Sequence, residues 1–195
     1  ANVIAEEGFR GLPELRLSDR SYRAEADTDL LVPFEPGGPA DRAGNYAVVA
    51  MPPVIADQVR VGRGAGGFDG AGDATLELEP RRDALFFPGA VPGSFSVEFW
   101  LLPVTASDGQ VLLEWTGVLG EIAPGRPQGL RAEVQGRRVI WAFENLFQGP
   151  DQNPFTLEVE GRDLLVPRRW QHHLLRYRAD IGLIEYLVDG RVQDV

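Results

Sequence analysis

The sequence has no cysteine and no lysine, and it holds one methionine and two histidines in 195 residues. Without cysteine there can be no disulfide, no thiol nucleophile and no thiolate-held zinc, although the compartment stays open. Without lysine every basic residue is arginine, a usage that follows a GC-rich genome and carries no functional weight. Positive charge is short as well. Nineteen basic residues stand against 29 acidic ones, so the net charge is −10 and the pI is near 4.7. A surface of that sign repels a polyanion, and no nucleic-acid partner is expected. Long apolar runs are missing too. The longest uncharged stretch, Ala84 to Val97, is broken by Pro88, Gly89, Pro92 and Gly93, so no membrane insertion is expected. The chain opens Ala1-Asn2 with no signal-type apolar segment, which fits either a cleaved signal peptide or a trimmed chain. Helical periodicity is also absent: no long window places apolar residues at i, i+3, i+4 and i+7.

Alternation with period two is present instead, punctuated by 23 Gly and 15 Pro, and this is an all-β pattern. In Ser94 to Leu102, SFSVEFWLL, Phe95, Val97, Phe99 and Leu101 share one face, and Ser96, Glu98 and Trp100 share the other. Inward sets are expected at Val111, Leu113 and Trp115, at Leu130, Ala132 and Val134, and at Phe155, Leu157 and Val159. Trp170 to Arg178 alternates as well. Leu183 to Val188 runs into Asp189-Gly190, a tight-turn pair that predicts a hairpin with Arg191-Val192. Many short strands with turn signals between them predict an antiparallel β-sandwich or jelly roll.

One stretch needs a decision. ENLFQGP, Glu144 to Pro150, resembles the site of a viral protease that laboratories use to remove tags. It begins inside the alternating segment Val139 to Phe147, where Val139, Trp141 and Phe143 oppose Ile140 and Ala142, and it ends at the breaker Gly149-Pro150. A strand runs into it, so it is read as part of the native chain rather than a junction between two proteins. A mobile Gln148-Gly149 would be open to nicking. Ala1 to Ala26 is polar with short apolar fragments, and Phe9, Leu12, Leu15, Leu17 and Tyr22 give it something to bury. It is read as an amino-terminal arm or linker (residues 1–26) before a domain at 27–195.

From Asp27 the order of motifs resembles the laminin-G-like, concanavalin A-like jelly roll. DTDLLVPFE (Asp27 to Glu35) is similar to the opening strand of that family, and DRAGN (Asp41 to Asn45) to its D-x-x-G-N turn. VGRGAGGFDGAGDATLEL (Val61 to Leu78), SFSVEFWLLP and RRWQHHLLRYRADIGLIEYLVDGR (Arg168 to Arg191) resemble later elements in the family's order. The resemblance implies a β-sandwich jelly roll, and it implies further strands beyond the last hairpin. The chain ends at Val195, so the natural protein is expected to be longer.

The chemistry-bearing motifs are few. Gly62, Gly64 and Gly67 spell G-x-G-x-x-G, but an alternating segment follows where a dinucleotide site needs a helix, so a glycine-rich turn is expected. Glu77, Glu79 and Asp83 are the nearest approach to a glycosidase cluster. Pro80-Arg81-Arg82 puts the third carboxylate out of step, so an exposed strand face is expected and no catalytic residue is assigned. Asp41, Asp69 and Asp73 lie in turns, and carboxylates in flexible loops suit calcium, which jelly rolls of this type often carry as a structural ion. His172 and His173 point to opposite faces of a strand, one packed and one exposed. Trp115 and Trp141 fall on apolar faces and belong to the core. Trp100, beside Glu98 on the polar face, is the candidate platform for a sugar ring.

The expectation is a non-catalytic recognition module binding carbohydrate or a protein partner. It would belong to an exported protein at the cell surface, in the periplasm or secreted. The alternative is a structural subunit of a larger assembly, and a glycoside hydrolase ranks last.

Overall fold

The computed structural model describes residues 17–18, 20–37, 41–70, 74–90, 92–118, 126–151 and 153–195, and among them every regular element is a β-strand. The strands are β1 (Tyr46–Ala50), β2 (Val54–Ile55), β3 (Ala65–Gly66), β4 (Glu77–Pro80), β5 (Phe95–Leu101), β6 (Val111–Val118), β7 (Pro127–Gln135), β8 (Arg138–Gln148), β9 (Pro154–Glu160), β10 (Gln171–Arg178), β11 (Leu183–Val188) and β12 (Arg191–Asp194). They form four antiparallel sheets in two compact units, Ala1–Ala84 and Leu85–Val195.

The first unit holds two small ladders, β1 with β4 and β2 with β3. Ser18 bridges Val61 in parallel, and the Gly62 N–H donates to the Ser18 carbonyl at 2.8 Å, so this end of the arm is tied to the segment before β3. Leu17 and Tyr22, expected to bury, are exposed; Phe9, Leu12 and Leu15 lie outside the described residues. No strand forms over Asp27 to Glu35. The backbone there bonds to a turn instead of a ladder: Leu31 N–H donates to the Asp41 carboxylate, and Leu31 carbonyl accepts from Arg42 N–H. Phe34 adds a left-handed φ of +53°, outside the extended β region. The glycine-rich turn is found as expected. Gly62 sits at φ +77°, and a side chain on Gly64 would collide with the carbonyl oxygen of Phe34.

The second unit contains the two large sheets, in strand orders β12-β11-β10-β5 and β6-β7-β8-β9. Their facing sides share one core, the arrangement of a β-sandwich. Leu130, Ala132 and Val134 of β7 and Val139, Trp141 and Phe143 of β8 meet Phe95 of β5, Leu175 of β10 and Ile184, Tyr186 and Val188 of β11. The expected faces of β5, β7 and β8 are the observed ones. Two expected inward residues turn out. Val111 pairs with Glu133 and Leu113 with Ala132, so one extra residue on β6 flips Val111 to solvent. Phe155 is exposed where the β8–β9 register slips between Glu144 and Phe147. The predicted hairpin joins β11 to β12 through Asp189 (φ +49°) and Gly190 (φ +75°), both left-handed as a two-residue I′ turn requires.

Candidate functional site

The polar face of β5 and its neighbour β10 builds the candidate surface. Because Phe95, Val97, Phe99 and Leu101 turn to the core, Glu98 and Trp100 must turn away from it. Antiparallel pairing sets Trp100 opposite His172, and Glu98 opposite Leu174. The indole and imidazole centres are 4.9 Å apart at a 40° tilt. His172 Nε2 lies 3.5 Å from Glu98 Oε2, an ion pair when the imidazole is protonated. The start of β10 is held in place because His172 N–H donates to Asp189 Oδ1 and Asp189 N–H donates back to the His172 carbonyl. The same face continues as an apolar row, Leu174 opposite Leu187 and Leu187 opposite Val192. Below it runs the Arg176–Glu185 pair, at 2.6 Å.

The second histidine points inward as expected. His173 is buried, stacked on Phe99 at 5.2 Å, and its Nδ1 lies 2.6 Å from the Tyr186 hydroxyl. Burial lowers its pKa to about 4; the Asp189 charge opposes that shift and His172 adds to it. Burial also raises the Tyr186 pKa. At neutral pH the pair is therefore uncharged. It is a core element closed to solvent, which does not suit it to proton transfer with a substrate.

Of the three aspartates, two lie among the described residues. Asp41 is buried, and both carboxylate oxygens are occupied: Oδ1 accepts from the N–H groups of Leu31 and Ala43, and Oδ2 from those of Asn45 and Tyr46. Four backbone donors face its two oxygens, so Asp41 organises the turn. Asp69 stands exposed before Gly70, and Asp73 lies outside the described residues. Among the described residues no group of three His, Cys, Asp or Glu side chains is placed to hold a metal. Glu77 and Glu79 are exposed on β4 and Asp83 is exposed in the turn after it. Trp141 is fully buried. Trp115 packs against the core and donates its indole N–H to the Phe86 carbonyl at 2.7 Å.

The second unit also has two depressions. One, of about 430 Å³, is polar and lies along β8 and β9, where Arg138 is paired with Glu160 at 3.6 Å. The other, of about 330 Å³, is mainly apolar, with Phe147, Phe155 and Tyr177 in its lining, and opens between the two sheets. Trp100 lines neither of them. The aromatic cleft was not anticipated, although one sign of it was legible: Gln128 sits in the inward parity of β7 with Leu130, Ala132 and Val134.

Searched against protein-family models, curated proteins and solved structures, the chain matches none.

Proposed function

We propose that the chain is a non-catalytic recognition module of an exported or cell-envelope protein, binding carbohydrate through Trp100 and Glu98. Its fold is read as the concanavalin A-like jelly roll of laminin-G-like domains. The observation that carries the function is the Trp100–His172–Glu98 cluster, two adjoining rings beside a carboxylate on one sheet face. Such a surface offers a π-face to the C–H side of a pyranose and an acceptor to its hydroxyls. A protein partner or larger assembly is the second reading. It is favoured by the row Leu174, Leu187 and Val192, whose last member is 51% exposed. Calcium enters as a structural ion, with Asp69 and Asp73 the carboxylates to change first.

A glycan array probed with the whole chain, in calcium and again in chelator, tests the reading. Glycan binding that falls at least about tenfold in Trp100→Ala supports it, the loss expected when a desolvated stacking contact is removed. Loss of binding in chelator adds the ion. Silence on every glycan under both conditions discards carbohydrate and leaves the protein-partner reading.

A further inference from the structure

The cleft of about 330 Å³ lies where the start of β7, the end of β8 and the start of β9 face the end of β10 and the start of β11. One wall is aromatic: Phe147 is 4.8 Å from Tyr177 and 6.4 Å from Phe155. Leu157 and Ile184 continue the apolar lining. No described lining residue is an Asp, Glu, Arg or His. Gln128 of β7 also lines the cleft; it is only 2% exposed, and its Oε1 is buried with no hydrogen-bond partner. The mouth is braced by Asn145, which holds a left-handed φ of +51° and donates its side-chain N–H to the Pro127 carbonyl at 2.7 Å. A buried acceptor left unpaired forfeits its hydration with nothing in return, so a core position facing apolar neighbours normally carries no amide.

We propose that this cleft is a binding site for a small uncharged molecule: an apolar ring carrying one N–H or O–H donor. The ring packs on Phe147 and Tyr177, and the donor bonds to Gln128 Oε1, which a turn of that side chain brings to the cleft surface. An ionised ligand would find no counter-charge among the described lining residues. A sugar would leave most of its hydroxyls facing apolar side chains. The volume is at the low end for ligand pockets and suits one or two rings. The site is separate from the Trp100 surface, so it stands or falls independently of the carbohydrate reading.

Indole and 1-methylindole are matched probes, alike in shape and differing in the N–H. Each is titrated into the isotope-labelled full chain and followed by NMR. Indole is expected to shift Gln128, Phe147 and Tyr177 and to bind about fivefold to tenfold more tightly than 1-methylindole, the ratio for one net hydrogen bond. In Gln128→Met, which keeps length and removes the acceptor, the two probes should bind alike. Equal affinity in the unmodified chain, shifts centred on Trp100 instead, or no shift at millimolar probe would each overturn the proposal. If Gln128→Met does not fold, the ratio in the unmodified chain decides alone.

Discussion

His173 shows how strongly burial sets chemistry at the scale of one residue. Its imidazole is stacked between Phe99 and Tyr186 and is held neutral, with a pKa lowered from the usual 6.5 to about 4. Between those values the unfolded chain binds a proton that the folded chain does not, so stability rises with pH across that window. This contribution is fully present above about pH 6.5 and is lost as pH falls toward 4, at most about 3 kcal/mol. Urea midpoints at pH 4.5, 5.5 and 7 should therefore rise more steeply in the natural chain than in His173→Gln, which leaves the Tyr186 hydroxyl a partner. Equal slopes would mean that another group carries the acid sensitivity. Asp41 teaches the complementary lesson. Its buried carboxylate accepts from four backbone N–H groups, so one side chain organises the turn around it.

Among the elements, β8 answers the question raised by ENLFQGP. Leu146, Phe147 and Gln148 end the strand; Phe147 pairs with Phe155 and Gln148 with Pro154. The Phe147 ring packs on Phe143 and Tyr177, and Gly149 N–H donates to the Asn153 carbonyl at 2.9 Å. A protease must draw its substrate into an extended, unpaired strand, which here means first breaking that ladder. The viral protease is expected to leave Gln148-Gly149 intact in native buffer over a time that fully cuts the same heptapeptide in a flexible linker. Urea near the unfolding midpoint should release the cut. Rapid cleavage without urea would show that the β8–β9 end opens locally. The bulge that precedes it, at Asn145 and Leu146, also aims the aromatic residues of the cleft.

For the whole molecule, the division into two units makes its own prediction. The thirteen described residues of the buried core cluster run from Phe95 to Val188, so the second unit carries its own core. Both large sheets draw all their described strands from it. Side chains also seal them: Gln193 Oε1 accepts from the N–H groups of Arg162 and Asp163, tying β12 to the segment after β9. A fragment spanning Leu85 to Val195 is therefore expected to unfold in urea as a single cooperative transition, with an m-value of about 1–3 kcal/mol/M. A broad, featureless titration would mean that the core needs the first unit to form.

The sequence by itself determined the all-β class, the inward faces of β5, β7 and β8, the opposite facing of the two histidines, the core position of Trp141 and the Asp189-Gly190 hairpin. Each of these follows from period-two alternation or from the backbone preference of a dipeptide, and both are local properties of the chain. Trp100 was placed correctly on the polar face by parity alone, but its neighbour His172 came from the β5–β10 register. Tertiary structure alone decided the register shifts that turned out Val111 and Phe155, the absence of a strand over Asp27 to Glu35, the cradle around Asp41 and the aromatic cleft with Gln128 at its wall. The pairing of Val111 with Glu133 and the meeting of β7, β8 and β9 with β10 and β11 at the cleft join residues tens of positions apart, beyond any short window of the sequence. The donors to Asp41 and the Phe147–Phe155 pair are closer in the chain, but they are set by a turn and a bulge that alternation does not encode.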